Sequence, residues 1–157
     1  AYLTDGFVCP LLLQIADDLR HRFPDIFKDH HLTQLWGYKY DNSLTGIGLH
    51  ADFAAVNFNF WVTPDDANLE PEGGGLIVYD VEAPLDWQFQ NYNKDEAAMQ
   101  AYIDAHSEKK MAVPHRQNRA VMFNSDLFHA SDEICFKGGY ENRRINITML
   151  FGERQSK

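Results

Sequence analysis

Cysteine is scarce in this chain: only Cys9 and Cys135 occur, and neither stands in a Cys-x-x-Cys pair. That excludes a disulfide-stapled framework and a thiolate metal cluster, and it suits two free thiols in a reducing compartment. Basic charge is also short, with 14 Lys and Arg against 23 Asp and Glu and a formal net charge of −9. Affinity for nucleic acid comes largely from cations neutralising phosphates, and no basic stripe offsets the balance, so no nucleic-acid partner is expected. No apolar run approaches the roughly 20 residues of a membrane span, and no signal peptide is expected before the domain. The expectation is a soluble, cytoplasmic protein without a membrane partner. Because the chain begins inside what already reads as folded sequence, it is also expected to be a piece of something longer.

What is present is a β-rich pattern. Hydrophobic residues make up 45% of the 157 residues and aromatics 13%, enough for one core and too short for two ordinary domains. The reading is a single domain over 1–157, with a core at 35–152 and helical support from 1–34. Leu11, Leu12, Ile15, Leu19 and Phe23 follow Pro10 at helical spacing. Leu35 to Tyr40 is strand-like, and Val56 to Val62 alternates, with Val56, Phe58, Phe60 and Val62 on one face and Asn57, Asn59 and Trp61 on the other. After a polar loop from Thr63 to Gly75, a strand resumes at Leu76 to Tyr79. Helix-forming composition between Asn93 and Lys110 reads as one inserted helix. Strands return at Met111 to Pro114, Arg119 to Asn124 and Arg144 to Phe151. Many short strands with turn residues between them predict a mainly β fold, a two-sheet jelly-roll or barrel with flanking α-helices.

Within this pattern His50-Ala51-Asp52 carries the chemistry. Residues i and i+2 of an extended strand project from one face, whereas a helix would set them about 200° apart, so an extended Leu49 to Phe53 presents His50 and Asp52 to one metal. His129 follows Asp52 by 129 − 52 = 77 residues, which allows a third ligand from a strand paired alongside. Two imidazoles and one carboxylate from separate segments hold non-haem Fe(II) on one face and leave the opposite positions open, which points to an oxygen-using enzyme. His21, His30, His31, His106 and His115 lie in helix, loop or strand-edge settings and read as solvated surface. Arg144, Asn146 and Thr148 alternate with Ile145, Ile147 and Met149. If that polar face points into a barrel, it delivers a guanidinium, whose planar fork suits a carboxylate, to a closed pocket. Glu72-Gly73-Gly74-Gly75-Leu76 is either a loop hinge or a place where backbone approaches a ligand closely, and no Lys-Ser/Thr follows to make a phosphate loop.

Taken in order, His50-Ala-Asp52, Glu72-Gly-Gly-Gly-Leu76, the Ala120 to His129 segment and Arg144-Ile-Asn-Ile-Thr148 resemble the 2-oxoglutarate- and Fe(II)-dependent oxygenase superfamily, notably its prolyl-hydroxylase-like branch. The resemblance covers roughly Leu35 to Gly152. It implies a double-stranded β-helix of cupin-like form in which His50, Asp52 and His129 bind Fe(II). Arg144 would pair with the far carboxylate of 2-oxoglutarate, with Asn146 where the family often has a Ser, and with Tyr38 or Tyr40 as a hydrogen-bonding tyrosine. Arg143, of opposite parity, should leave the pocket. The retained Asp52 favours hydroxylation or oxidative demethylation over halogenation. The implied reaction uses O2 and releases succinate and CO2.

The substrate is an amino acid, a peptide or protein side chain, or a small metabolite, with Thr63 to Gly75 and Asn93 to Lys110 as the expected lids. Two other readings stand beside this one. The first is a cupin-like metal- or ligand-binding module without oxygenase activity, and the second is a nonenzymatic interaction domain with a chance His-x-Asp.

Overall fold

The computed structural model describes residues 1–2, 5–27, 29–41 and 43–154. Two helices open the chain, α1 (Pro10–Arg22) and α2 (Pro24–Phe27), followed by β1 (Leu32–Tyr40), β2 (Val56–Trp61) and β3 (Leu76–Glu82). Next come α3 (Phe89–Asn93) and α4 (Glu96–His106), then β4 (Lys110–Val113), β5 (Ala120–Asn124), β6 (Leu127–Ser131) and β7 (Arg144–Phe151). All strand pairing is antiparallel, in a four-stranded sheet ordered β1-β7-β2-β5 and a three-stranded sheet ordered β4-β3-β6. The fold is thus mainly antiparallel β with a few helices, and among the described residues no helix is long and apolar enough to cross a membrane.

The faces of the four-stranded sheet explain where its polar residues go. Leu35, Val56, Phe58, Ile147, Met149 and Phe151 bury against Leu12 and Ala16 of α1 and Phe27 of α2. Phe27 meets Phe151 edge-on at 4.6 Å between ring centroids. Each such side chain removed from water contributes about 1.5–3 kcal/mol, so this helix-covered face is the apolar one. The opposite face carries Asn57, Asn59, Arg144, Asn146 and Thr148, and all five are buried. Strand alternation therefore turns the polar residues inward, toward the second sheet.

The outer side of the three-stranded sheet is covered by α3 and α4, where Tyr92, Met99 and Ile103 pack with Phe128 of β6 and Ala51. Asp95 caps α4 by accepting from the Ala98 N–H at 3.1 Å. The inserted helix expected over Asn93 to Lys110 is therefore shorter at both ends and follows a separate turn of helix, α3. Strand bounds also differ from the sequence pattern, since β2 stops at Trp61 and β3 runs on to Glu82. β1 begins at Leu32, because register with β7 continues to Phe151, and Leu127 to Ser131 forms a strand of its own after the Asn124 to Asp126 turn.

Candidate metal centre and its cavities

Two backbone hydrogen bonds bring the His-x-Asp segment to β6. His50 N–H donates to the His129 carbonyl at 3.0 Å, and His129 N–H donates back at 2.8 Å. Ala51 N–H donates to Tyr92 O and Asp52 N–H to Ser125 O, so the segment is held extended between α3 and the β5–β6 turn. Asn93 Nδ2 donates to Ala51 O at 2.9 Å and completes that clamp.

The three side chains converge. One ligand atom each from His50, Asp52 and His129 lie within 4.8 Å of one another. The imidazoles are oriented by the same device: His50 Nδ1 bonds to Gly48 O at 2.8 Å and His129 Nδ1 to Leu127 O at 2.9 Å. A carbonyl can only accept, so each Nδ1 carries a proton and each Nε2 is the ring nitrogen turned toward Asp52. His50 Nε2 stands 3.7 Å from Asp52 Oδ1, and His129 Nε2 stands 3.4 Å from Asp52 Oδ2. Burial, with the neighbouring His129, pulls the His50 pKa down to about 4, and hydrogen bonds and the two imidazoles hold the Asp52 carboxyl below its ordinary value against its own burial. A neutral His50 beside an ionised Asp52 matches the protonation state a divalent metal requires of these two groups.

Arg144 is 1% exposed, and no carboxylate lies within salt-bridge distance of it among the described residues. Its Nε donates to Gly74 O at 2.6 Å and its Nη2 to Gly75 O at 3.0 Å, which leaves three of five N–H donors free. Burial lowers its pKa to about 10, so it remains a cation at neutral pH. Tyr40 lies opposite Arg144 in the β1–β7 register, its ring 5.7 Å from the guanidinium carbon, and its buried hydroxyl has no partner among the described residues. Burial raises the Tyr40 pKa to about 12. Arg143 points elsewhere, 3.6 Å from Asp41.

Two cavities meet at His50 and Asp52. The inner one, about 30 Å³, is lined by Tyr40, Asn57, Asn59, His129, Arg144 and Asn146 among others. The wider one, about 470 Å³ and open to solvent, is lined by Trp36, Tyr38, Phe89, Asn93, Lys94 and Met99 among others. The structure thus separates the two tyrosines, with Tyr40 beside Arg144 and Tyr38 in the outer space. The helical insert does line the outer cavity. No residue from 63 to 75 does, and that loop packs at the closed end instead, where Ala67 joins Tyr40 and Phe136.

Three features were not read from the sequence. His115 is fully buried rather than solvated, because Trp61 and Phe136 close over it with ring centroids at 5.9 and 5.0 Å. The glycine turn brings its backbone to Arg144 and to β4, not to an open ligand space. Asn57 and Asn59, legible only as one face of a strand, back the metal-ligand candidates: Asn57 Nδ2 donates to Asp52 Oδ2 at 2.6 Å, and Asn59 Nδ2 donates to Asn57 Oδ1 behind it.

No known protein-family profile matches the chain, and no curated protein matches it in sequence. Solved structures do share the fold. HygX from Streptomyces hygroscopicus with iron bound superposes with a TM-score of 0.56 at 15% identity, over 92% of this chain and 68% of that one. The same protein with nickel and 2-oxoglutarate bound gives 0.57 at 16% identity, with the same coverage. At that identity the likeness establishes a shared fold, seen elsewhere with a metal and 2-oxoglutarate in place.

Proposed function

We propose that the chain is an Fe(II)- and 2-oxoglutarate-dependent oxygenase with a double-stranded β-helix, in which His50, Asp52 and His129 hold the metal. The observation that carries this is the convergence of one ligand atom each from two imidazoles and one carboxylate within 4.8 Å. A bound iron with O2 and 2-oxoglutarate supplies the oxidising chemistry, releasing succinate and CO2.

The chain's own residues divide the remaining work. Arg144 is a buried cation without a carboxylate partner, an arrangement that is costly until an anion arrives. Its free N–H donors and the unpartnered Tyr40 hydroxyl suit the far carboxylate of 2-oxoglutarate. Tyr40, not Tyr38, is the tyrosine we assign to this contact. Asn146 lines the same cavity. The outer cavity reaches His50 and Asp52 from solvent and takes the substrate, for which an amino acid or peptide is our preferred class, as in the prolyl-hydroxylase-like branch.

The small inner cavity favours a second reading, a cupin-like metal-binding module without oxygen chemistry. At about 30 Å³ it has room for about two waters. A five-carbon dicarboxylate binds only if lining side chains move. Calorimetry with Ni(II)-loaded protein separates the two readings: binding of 2-oxoglutarate supports the oxygenase, and metal binding without any 2-oxoglutarate affinity supports the module.

A further inference from the structure

Between Asp52 and Arg144 the wall of the inner cavity is a row of buried amides. Asn57 donates to Asp52 Oδ2 at 2.6 Å, and Asn59 Nδ2 donates to Asn57 Oδ1. Asn59 Oδ1 accepts from Asn146 Nδ2 at 2.8 Å and from the Thr148 hydroxyl at 2.6 Å, and Asn146 Nδ2 also reaches Thr148 Oγ1 at 2.9 Å. Asn57 is 0% exposed, and Asn59, Asn146 and Thr148 are at most 5% exposed. The chain ends at Asn146 Oδ1, which is buried and has no partner among the described residues.

The direction of every bond follows from one end. An ionised carboxylate can only accept, so Asn57 must present Nδ2 to Asp52. Its Oδ1 is then left as an acceptor, which obliges Asn59 to present Nδ2, and the same logic obliges Asn146 to do so. Turning one amide over would set oxygen against oxygen in a buried site, at a cost of about 1–3 kcal/mol for each unpaired group.

We propose that Asn57, Asn59 and Asn146 are positioning residues, a hydrogen-bonded chain whose polarity is set by the charge on Asp52. At one end the chain commits Asp52 Oδ2 to Asn57 and leaves Oδ1, which accepts no hydrogen bond among the described residues, as the metal-facing oxygen. At the other end it fixes Asn146 with its carbonyl oxygen, not its N–H, toward the inner cavity. A bound carboxylate cannot donate to that oxygen, so it meets Asn146 only through a water, while Arg144 and Tyr40 contact it directly. The consequence for metal and cosubstrate rests on the function proposed above, whereas the chain itself rests on hydrogen-bond geometry alone.

Two measurements test it. In metal-free protein, side-chain amide hydrogen exchange of Asn146, followed by NMR, should be protected and should speed up about tenfold in Asn57→Leu, although the substitution lies two links away. In a Co(II) titration, Asn57→Leu should bind roughly 10–100-fold more weakly, with a shifted cobalt absorption spectrum. Asn57→Ser, which keeps a donor, should restore part of that affinity and serves as the variant if Asn57→Leu does not fold. A folded Asn57 variant with unchanged Asn146 exchange overturns the chain, and one with wild-type Co(II) affinity and spectrum overturns its role at the metal. If the wild-type chain binds no Co(II), the proposed metal centre fails and the positioning role falls with it, while the exchange measurement still decides whether the chain exists.

Discussion

Arg144 donates from Nε to the main-chain oxygen of Gly74 at 2.6 Å, so the glycine-rich turn holds the one buried guanidinium of the cavity in place. Gly74 has φ +77°, a left-handed conformation that glycine adopts without strain. At Gly75 the constraint is space, since an added Cβ would lie 1.8 Å from Val113 O and 2.8 Å from the His115 nitrogen.

Gly75→Ala should therefore cost about 3 kcal/mol or more, at or beyond the upper end of overpacking, because the obstacle is backbone that cannot rotate away. The control is Gly138→Ala, where nothing lies within 4 Å of the added carbon. Urea unfolding of both variants reads the difference, and equal midpoints would remove the steric account of this turn.

Arg144→Lys keeps the charge but loses the planar fork that spans Gly74 O and Gly75 O while leaving donors for a ligand. On the proposed function, Arg144→Ala should weaken 2-oxoglutarate binding to Ni(II)-loaded protein by about 30-fold or more, the range for removing one partner of a buried charge pair. Arg144→Lys should fall between Ala and wild type. Metal affinity should stay near wild type in both, because Arg144 is not among the converging ligand atoms. A change in 2-oxoglutarate affinity below about threefold would show that the carboxylate is held elsewhere.

The sequence disclosed period but not partnership. Alternation in β2 and β7 was enough to sort Asn57, Asn59, Asn146 and Thr148 onto one face of each strand, and His-x-Asp spacing was enough to put His50 and Asp52 on one side. That the polar face turns inward follows from α1 and α2 covering the apolar one, a tertiary fact. His115 departs from the solvated setting its sequence neighbours predict for a related reason. It follows Pro114 at the end of a short strand, a place where histidine is normally wet, and only the approach of Trp61 from β2 and Phe136 from the 132–143 loop buries it. The glycine turn was legible as a close approach, but its target, Arg144 some 70 residues away in sequence, was not.

His115 also sets a pH dependence. Burial, reinforced by Arg144, pulls its pKa down to about 4, and neither ring nitrogen has a partner among the described residues. In the unfolded chain the same group protonates near 6.5. Between these values the unfolded state binds the proton and the folded state does not, so stability falls as pH drops from about 6.5 toward 4, by on the order of 2 kcal/mol for this group. Above 6.5 the group contributes no slope. His115→Phe fills similar space without a titratable ring, so its stability, relative to wild type, should improve between pH 7 and pH 4.5. Urea unfolding at both pH values checks this, and parallel losses in the two proteins would assign the acid sensitivity to other groups.

Metal binding should be visible as stability even without a substrate. A ligand that binds only the folded state adds RT ln(1 + [L]/Kd), about 2.7 kcal/mol at a hundredfold excess over Kd. For a chain of this size that corresponds to a Tm increase of roughly 5–10 °C. Fe(II) under anaerobic conditions, or Ni(II) or Co(II) in air, should raise Tm by that amount, and chelation with EDTA should reverse it. His129→Ala and Asp52→Ala should each abolish the rise. His115→Ala should lower the starting Tm yet keep the rise, because His115 is buried but is not among the converging ligand atoms. A metal-induced rise that survives Asp52→Ala and His129→Ala would place the metal outside the His50, Asp52 and His129 cluster and defeat the proposed centre.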